Sequence, residues 1–345
     1  MSATFSAEVA TLEAVVAGWQ DRRVLVVGDL MLDEYRNGVV ERMSPEAPVP
    51  IVNVSSHRTA PGGAGNVARN VASLGALCRL VGVVGQDPEG EALRAGLADA
   101  AIDATSVEVL EHRPTTHKLR VAAGDRQVVR LDRETTQPLA DDEAARLRAA
   151  CVDAIGESEV VILQDYGKGL LSGGMAEWLV ALARDRGVPV VADPKQDLAR
   201  FRGVDLAKPN AAEAETLGAT LGAGPGIDRA LLEKLRETIG GGEIVVTRGS
   251  GGMRALDAAG ALIDVPTEAR AVFDVQGAGD TTVAALALAR VAGASLAEAC
   301  IVANAAASVA VTKFGTAAVT SGELRARLLR VLEAVVAGQE DETGS

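Results

Sequence analysis

The sequence predicts an α/β fold: a doubly wound, mainly parallel sheet with helices on both faces and a small β-sheet lid. Short apolar runs alternate with helical patterns along most of the chain, which is typical of parallel strands buried on both faces. Two segments, at about 33–56 and 115–132, show strand patterns without intervening helices. Hydrophobic residues make up 48% of the chain but aromatic residues only 2%, so the core must be aliphatic.

The main elements follow one another in a regular order. The predicted strands of the large sheet are 24–27, 79–84, 160–163, 188–192, 206–208 and 244–247. The predicted helices are 6–20, 65–74, 89–101, 141–155, 174–186, 211–217 and 228–239, followed by two helices within 281–313 that break near Gly293. No linker divides this series, so we expect one domain over 1–338 and a polar, disordered tail at 339–345.

The two irregular segments predict the lid. Residues 33–56 combine alternating polar and apolar residues with three prolines, and residues 115–132 have the pattern of a hairpin. Its strands, 118–122 and 127–131, are joined by Ala-Gly-Asp-Arg. Strands without helices in an α/β protein are expected to form a separate small sheet over the site.

Composition and charge exclude several classes of protein. The net charge of −13 argues against non-specific nucleic-acid binding, because no basic excess neutralises a phosphate backbone. The three cysteines are far apart in apolar stretches, and neither they nor the three histidines have metal-ligand spacing. The sequence has no secretory signal pattern and no apolar run of membrane-spanning length. We therefore expect a soluble cytoplasmic protein without a membrane partner.

The most informative segment is FDVQGAGDTTVA at 273–284. Gly277, Ala278 and Gly279 lead into a long helix, whose first N–H groups and positive dipole end can bind phosphate. Asp280 follows at once, and a carboxylate there can take a proton from a hydroxyl beside the phosphate. The pair indicates phosphoryl transfer to an alcohol. The alternative is a glycine turn with an Asp N-cap.

Polar residues that follow the first strand indicate a binding site for sugar hydroxyls. Asp29 and Asp33 come at the carboxyl end of that strand, where ligands bind in open α/β sheets. In PGGAGN at 61–66, Gly62 and Gly63 permit close backbone approach and Asn66 supplies an amide. The alternative is a pair of solvated carboxylates and a flexible turn.

Three further strand ends carry Asp, Lys, Asn or Glu, in the segments 165–169, 193–195 and 208–213. Asn210 and Glu213 stand three residues apart at a helix start and can face one point. Because Mg²⁺ keeps most of its waters and takes few protein ligands, the pair suits Mg²⁺ bound through water near phosphate. The alternative is a capping box with Asn210 as N-cap.

Other glycine-rich segments are less specific. The turn at 247–252 fits a close nucleotide or an ordinary hairpin. Residues 63–68 loosely match the dinucleotide fingerprint, but they come more than thirty residues after the first strand, where that fingerprint does not belong. The Walker A and protein-kinase motifs are absent.

In this order, the motifs resemble those of the ribokinase-like (PfkB) carbohydrate kinase superfamily. They are VVGDLMLD at 26–33, PGGAGN at 61–66, DPK at 193–195, PNAAE at 209–213, VTRGSGG at 246–252 and DVQGAGDT at 274–281. Three further segments are similar to the D-glycero-β-D-manno-heptose 7-phosphate kinases of ADP-heptose and lipopolysaccharide precursor synthesis. These are ERMSPEAPVPIV at 41–52, LQDYGKGLLS at 163–172 and NAAASVAVTKFGTAAVT at 304–320.

The resemblance implies transfer of a phosphoryl group from ATP, with Mg²⁺, to O1 of heptose 7-phosphate, and a homodimer joined through the lid. It implies roles for four groups of residues. The base would be Asp280, with Gly277, Ala278 and Gly279 as the anion hole. The triphosphate and Mg²⁺ would lie beside Asn210, Ala211, Ala212 and Glu213, and the nucleotide near Thr247, Gly249 and Asn304. The sugar would contact Asp29, Asp33, Gly62, Gly63 and Asn66.

The site that binds the 7-phosphate and the choice of substrate are less specified by the motifs. Arg69, Lys168 and Lys195 are the candidate cations for the 7-phosphate. Gln276 departs from the family pattern, in which Thr or Ser usually stands there. Since the chain has no HxGH-type nucleotidyltransferase signature, we expect the kinase step alone. The alternatives are a ribokinase-like kinase for ribose, fructose or a nucleoside, and a non-catalytic sugar- or nucleotide-binding regulator.

Overall fold

The chain folds into helices packed on two β-sheets. The computed structural model describes residues 3–124, 126–267 and 273–330. The strands there are β1 (Arg23–Gly28), β2 (Leu30–Met43), β3 (Pro50–Gly63), β4 (Leu77–Gly85), β5 (Asp103–Leu110), β6 (Thr116–Ala123), β7 (Arg126–Arg133), β8 (Val160–Gln164), β9 (Val190–Asp193), β10 (Leu206–Ala207), β11 (Glu243–Thr247), β12 (Met253–Leu256) and β13 (Leu262–Val265).

The helices surround the large sheet and follow the predicted order. They are α1 (Ala3–Ala17), α2 (Ala64–Ser73), α3 (Pro88–Asp99), α4 (Asp141–Gly156), α5 (Met175–Asp185), α6 (Ala211–Thr220), α7 (Arg229–Thr238), α8 (Ala278–Val291) and α9 (Leu296–Ala310). Residues 321–330 are also helical. Each predicted helix is present, with bounds that differ by a few residues.

The large sheet has the order β13-β12-β11-β10-β9-β8-β1-β4-β5. From β11 to β5 all neighbours are parallel, and β12 and β13 add an antiparallel edge. The predicted doubly wound, mainly parallel sheet is thus confirmed. The sequence missed β5, β12 and β13, which lie at the two edges. Edge strands are covered less fully, so they lack the continuous apolar run that marked the central strands.

The core lies on both faces of this sheet. Val24 and Val26 of β1 pack on the side of α2, α8 and α9, whereas Leu25 and Val27 pack on the side of α4, α5 and α7. Burial on both sides explains why β1 is apolar at every one of these positions. The cores are aliphatic apart from Trp19 and Phe201, as the composition predicted.

The small sheet has the order β3-β2-β6-β7 and forms the lid. β2 pairs antiparallel with β3 and parallel with β6, and β6 forms a hairpin with β7. The predicted separate lid sheet is confirmed, although its strands are longer than predicted. Only Asp29 separates β1 from β2, so the lid begins directly at the carboxyl end of a central strand.

Three expectations about the whole chain have different outcomes. The predicted tail at 339–345 lies outside the described residues. The single domain over 1–338 stays a prediction. Within the part of the chain that the structure describes, none of the helices has both the length and the apolarity that a membrane crossing requires.

Candidate active site

The polar residues singled out in the sequence meet where the parallel strands end. A cavity of about 500 Å³ opens at this edge, between the strand ends and the helices α8 and α9. The polar residues that line it include Asp193, Lys195, Lys208, Asn210, Glu213, Thr247 and Asn304. The topology therefore brings together residues from β9, β10, β11 and α9 that are far apart in the sequence.

The first turn of α8 forms one wall of the cavity. Gly277 precedes it with a φ of 76°, a left-handed conformation that favours glycine. A Cβ on Gly277 would lie 2.7 Å from Asn66 Nδ2, so a side chain there would also clash. A Cβ on Gly279 would lie 3.8 Å from Lys208 Nζ. The helix N-terminus and a lysine ammonium thus converge, which fits the anion site expected at Gly277, Ala278 and Gly279.

Asp280 lies in the same turn and is 2% exposed. Asn66 Nδ2 donates to its Oδ2 at 2.8 Å, and the Tyr166 hydroxyl donates to its Oδ1 at 2.7 Å. Burial raises the pKa of Asp280 to about 7, against the lowering effect of these two hydrogen bonds and of Lys208. A carboxylate with a pKa near neutrality is suited to act as a general base.

Lys208 and Asp193 form a buried ion pair beside Asp280 that the sequence interpretation did not assign to the site. Lys208 Nζ lies 3.1 Å from Asp193 Oδ2, and Lys208 is 2% exposed. Gln164 Nε2 donates to the same Asp193 oxygen at 3.1 Å and makes a long contact of 3.5 Å with Asp280 Oδ1. Position at a strand end was the available signal for Gln164, Tyr166, Asp193 and Lys208, but it did not specify their partners.

Asn210 and Glu213 form the capping box that was the alternative interpretation. Asn210 Oδ1 accepts from the N–H of Glu213 at 3.0 Å, and Glu213 Oε2 accepts from the N–H of Asn210 at 2.9 Å. Glu213 nevertheless lines the cavity, where its Oε1 pairs with Lys195 Nζ at 2.6 Å. No cluster of three or more acidic, His or Cys residues in the described ranges can hold a metal directly. Glu213 brings a carboxylate to the cavity, and a carboxylate is the kind of group that binds hydrated Mg²⁺.

Asp29, which the resemblance places beside the sugar, accepts hydrogen bonds from the backbone of the protein. Its carboxylate is buried and accepts three backbone N–H groups, from Tyr166 at 2.8 Å, Lys168 at 2.9 Å and Leu170 at 3.2 Å. Burial raises the pKa of Asp29, and these three hydrogen bonds oppose the rise. Asp29 therefore fixes the loop after β8, and most of its hydrogen-bonding capacity is used within the protein.

Asp33, the second carboxylate expected to contact the sugar, lies beside Gly62. It is buried in the lid strand β2, and its Oδ1 accepts from Arg120 Nη1 at 2.6 Å. A Cβ on Gly62 would clash with its Oδ2, so the glycine backbone passes directly beside the carboxylate. Burial raises the pKa of Asp33, whereas Arg120 lowers it. Gly63 then leads into α2 and Asn66, which contacts Asp280.

The three cations proposed for the 7-phosphate have different partners. Lys195 lines the cavity and pairs there with Glu213. Arg69 Nη1 donates to the carbonyl of Thr316 at 3.1 Å. Lys168 Nζ pairs with Glu134 at 2.7 Å, next to the lid residue Lys118, which pairs with the same carboxylate at 3.1 Å. Lys168 thus lies beside the lid.

Gln276, the departure from the family pattern, contacts the lid. The Tyr35 hydroxyl donates to Gln276 Oε1 at 2.9 Å and accepts from the N–H of Thr316 at 3.2 Å. The longer amide side chain therefore reaches β2 from the turn before α8. Because this contact joins residues 241 positions apart, no local pattern could predict a role for the glutamine.

The far part of the cavity suits a flat, partly apolar ligand. Met253, Val275 and Val311 line it together with Thr247 and Asn304. Gly249 also lines it and has a φ of 55°. Asn304 Nδ2 donates to the carbonyl of Pro266 at 2.8 Å. An apolar surface with a few polar groups is typical of small-molecule sites.

Comparison with solved structures defines the fold class as ribokinase-like. A structure of Arabidopsis thaliana ribokinase complexed with ribose and ATP aligns over 91% of this chain and 99% of its own, with a TM-score of 0.70 and 22% identity. Phosphofructokinase-2 from Escherichia coli aligns over 91% of this chain and 100% of its own, with a TM-score of 0.73 and 22% identity. Identities at this level show the fold alone.

Comparison with families identifies the protein more narrowly. Residues 21–321 match the pfkB family of carbohydrate kinases, and the chain belongs to that family. It is therefore a carbohydrate kinase.

Curated relatives extend the comparison along most of the chain. The bifunctional protein HldE of Rhodospirillum rubrum is 40% identical over 96% of this chain, and those of Gluconacetobacter diazotrophicus and Pseudomonas aeruginosa are 44% and 43% identical over 88% and 89%. This chain spans 68%, 63% and 64% of the lengths of these three proteins.

Proposed function

We propose that the protein transfers the γ-phosphoryl group of ATP to O1 of D-glycero-β-D-manno-heptose 7-phosphate, giving the 1,7-bisphosphate. The position of Asp280 carries the proposal. This buried carboxylate follows directly after Ala278 and Gly279, which line the cavity expected for the nucleotide, and it accepts a hydrogen bond from Asn66 on the expected sugar side. The similarity to HldE proteins and the narrower sequence motifs support heptose 7-phosphate as the sugar.

The geometry supports a direct transfer mechanism. Asp280 would take the proton from the anomeric hydroxyl while Asp33 and Asn66 orient the sugar. The N–H groups of the first turn of α8 and the Lys208 ammonium would stabilise the negative charge on the moving phosphoryl group. Asn210 and Glu213 would hold hydrated Mg²⁺, which supplies neutralisation of phosphate charge when bound.

A substrate panel tests the function directly. We expect ATP consumption to depend on heptose 7-phosphate, with a kcat/KM at least about a hundredfold above that for ribose, fructose or a nucleoside, because these substrates have no phosphate for the site cations to bind. Product analysis should place the new phosphate on O1. Preference for an unphosphorylated sugar would replace this proposal by the alternative kinase, and no stimulation by any sugar would favour the non-catalytic regulator.

Alanine substitutions of Lys168 and Lys195 should affect the KM values of different substrates. Lys168→Ala should raise the KM for the phosphosugar about tenfold or more, because it removes a charged contact beside the lid, and leave the KM for ATP nearly unchanged. Lys195→Ala should do the reverse, because Lys195 lines the nucleotide cavity. Lys234→Ala is the matched control, since Lys234 donates only to the carbonyls of Leu221 and Gly222. Equal effects of Lys168→Ala and Lys195→Ala on both substrates would contradict this division.

A homodimer through the lid is a second part of the proposal. Large apolar side chains are exposed on three lid strands: Val39, Val40, Met43, Val54, Val128, Val129 and Leu131. In the lid register, Asp33 pairs with Lys118 and Lys118 with Asp132, whereas Leu119 pairs with Leu131. Since side chains alternate between faces, Leu131 lies on the face opposite Asp33. By the same alternation Val129 also lies on that face, and the exposed apolar side chains of Val129 and Leu131 fit contact with the lid of a second copy.

The dimer proposal predicts a change of mass on a single substitution. Leu131, 55% exposed, should be buried between lids, so Leu131→Glu should convert a dimer to a monomer in sedimentation at micromolar concentration. Leu262→Glu is the control, because Leu262 is an exposed leucine on β13 of the large sheet. A wild-type monomer, or a Leu131→Glu dimer of unchanged affinity, would rule out this interface.

A further inference from the structure

The hydroxyl of Tyr166 is held against the carboxylate of Asp280. Tyr166 lies in the loop after β8, and Asp29 fixes this loop through the N–H groups of Tyr166, Lys168 and Leu170. The phenol oxygen is 2.7 Å from Asp280 Oδ1. A fixed backbone and a short hydrogen bond mean that the ring presents its hydroxyl at one defined place.

We propose that Tyr166 is a positioning residue for Asp280: its hydroxyl holds Oδ1 and turns the carboxylate toward the acceptor hydroxyl of the sugar. The inference rests on the proposed function, because it requires Asp280 to be the base. Asp29 contributes indirectly to the position of Asp280, because its buried carboxylate fixes the loop that carries Tyr166.

The hydrogen bonds of Asp280 show why Tyr166 matters more than its neighbours. A carboxylate offers about four lone-pair positions. Asn66 occupies one on Oδ2 at 2.8 Å, and Tyr166 one on Oδ1 at 2.7 Å. Gln164 contacts Oδ1 only at 3.5 Å and donates to Asp193 at a shorter distance. Tyr166 is therefore the one short donor to Oδ1 within the described residues, and a position remains open for the sugar hydroxyl.

The hydrogen bond from Tyr166 affects the pKa of Asp280, so its loss can be detected in the pH dependence of the activity. Asp193 raises the pKa of Asp280, and Lys208 and the hydrogen bonds from Asn66 and Tyr166 lower it. Burial and the nearby carboxylates of Asp280, Asp193 and Asp33 hold the pKa of Tyr166 well above its usual value. Tyr166 therefore stays protonated as a donor while Asp280 titrates. Removing the phenol hydroxyl should raise the pKa of Asp280.

In a plot of kcat/KM for the phosphosugar against pH, activity rises on the acid side as Asp280 loses its proton. Tyr166→Phe should therefore move this acid limb to a pH about one to two units higher. The activity lost at pH 7, roughly tenfold or more, should largely return above the displaced limb, and the KM for ATP should change less than about twofold. Tyr35→Phe is the matched control, because the Tyr35 hydroxyl bonds Gln276 and Thr316 instead. Its acid limb should stay at the wild-type position.

A second measurement leaves Tyr166 in place. The chain contains two tyrosines, so labelling with 3-fluorotyrosine gives two ¹⁹F resonances, which Tyr35→Phe assigns. The Tyr166 resonance should titrate with the apparent pKa of the acid limb, and this titration should vanish in Asp280→Asn. Two results together would overturn this inference alone, provided that Asp280→Asn is inactive. They are an acid limb of kcat/KM that Tyr166→Phe leaves at the wild-type pH, and a Tyr166 ¹⁹F resonance that does not shift with pH. Normal turnover in Asp280→Asn would overturn the proposed base as well.

Discussion

Asp280→Asn should lower kcat by roughly 10²–10⁴-fold, the range that general-base catalysis contributes, while the KM for ATP changes little. The amide cannot accept the proton of the anomeric hydroxyl, but it keeps the size of the side chain in the first turn of α8. The measurement is coupled-assay kinetics with heptose 7-phosphate at saturating ATP. Asp142→Asn is the control, because Asp142 lies in the first turn of α4 on the surface. Near-normal turnover of Asp280→Asn would remove Asp280 from the base role.

The same substitution should change stability in a pH-dependent way. Burial raises the pKa of Asp280 from 3.8 to about 7, so the folded state binds this proton more tightly than the unfolded chain does. Below pH 3.8 the carboxyl is protonated in both states. Between pH 3.8 and about 7 the unfolded chain is ionised while the buried carboxyl stays protonated, so stability falls by about 4 kcal/mol over this range and then levels off. Thermal unfolding should therefore show Asp280→Asn gaining stability, relative to the wild type, between pH 5 and pH 8.

Much of the catalytic segment could be predicted from the sequence because its determinants are local. Gly277 and Asp280 are neighbours in one turn, and the helix that follows fixes their relation within a few residues. The central strands were equally visible, because burial on both faces requires an uninterrupted apolar run. Local patterns of this kind do not depend on how distant segments pair.

The contacts of Asp29 and Tyr166, in contrast, depend on long-range packing. Asp29 bonds backbone groups 137 to 141 residues away, and Tyr166 contacts Asp280 across 114 residues. A carboxylate at a strand end looks the same in the sequence whether it binds a sugar or caps a loop. Asp29 contacts the loop after β8 because β1 and β8 are neighbours in the sheet and their ends lie side by side.

Lys208→Met should lower kcat by roughly 10²–10³-fold, with the KM for ATP raised only a few-fold. Methionine keeps the length of the buried side chain but removes the ammonium that lies beside Gly279, where charge develops on the phosphoryl group in transfer. Since Lys208 also lowers the pKa of Asp280, the acid limb of the pH profile should move upward in this variant. Steady-state kinetics from pH 6 to pH 9 measure both effects.

A double variant separates this catalytic effect from structural damage. Lys208→Met leaves Asp193 buried without its cation, and breaking a buried ion pair costs about 3–5 kcal/mol of stability. Adding Asp193→Asn removes the unpaired charge, so the double variant should regain most of the lost melting temperature while kcat stays low. Recovery of kcat along with stability would mean that Lys208 only neutralises Asp193. A stable but slow double variant would instead assign Lys208 to the phosphoryl group itself, because stability and turnover would then depend on different partners of one ammonium.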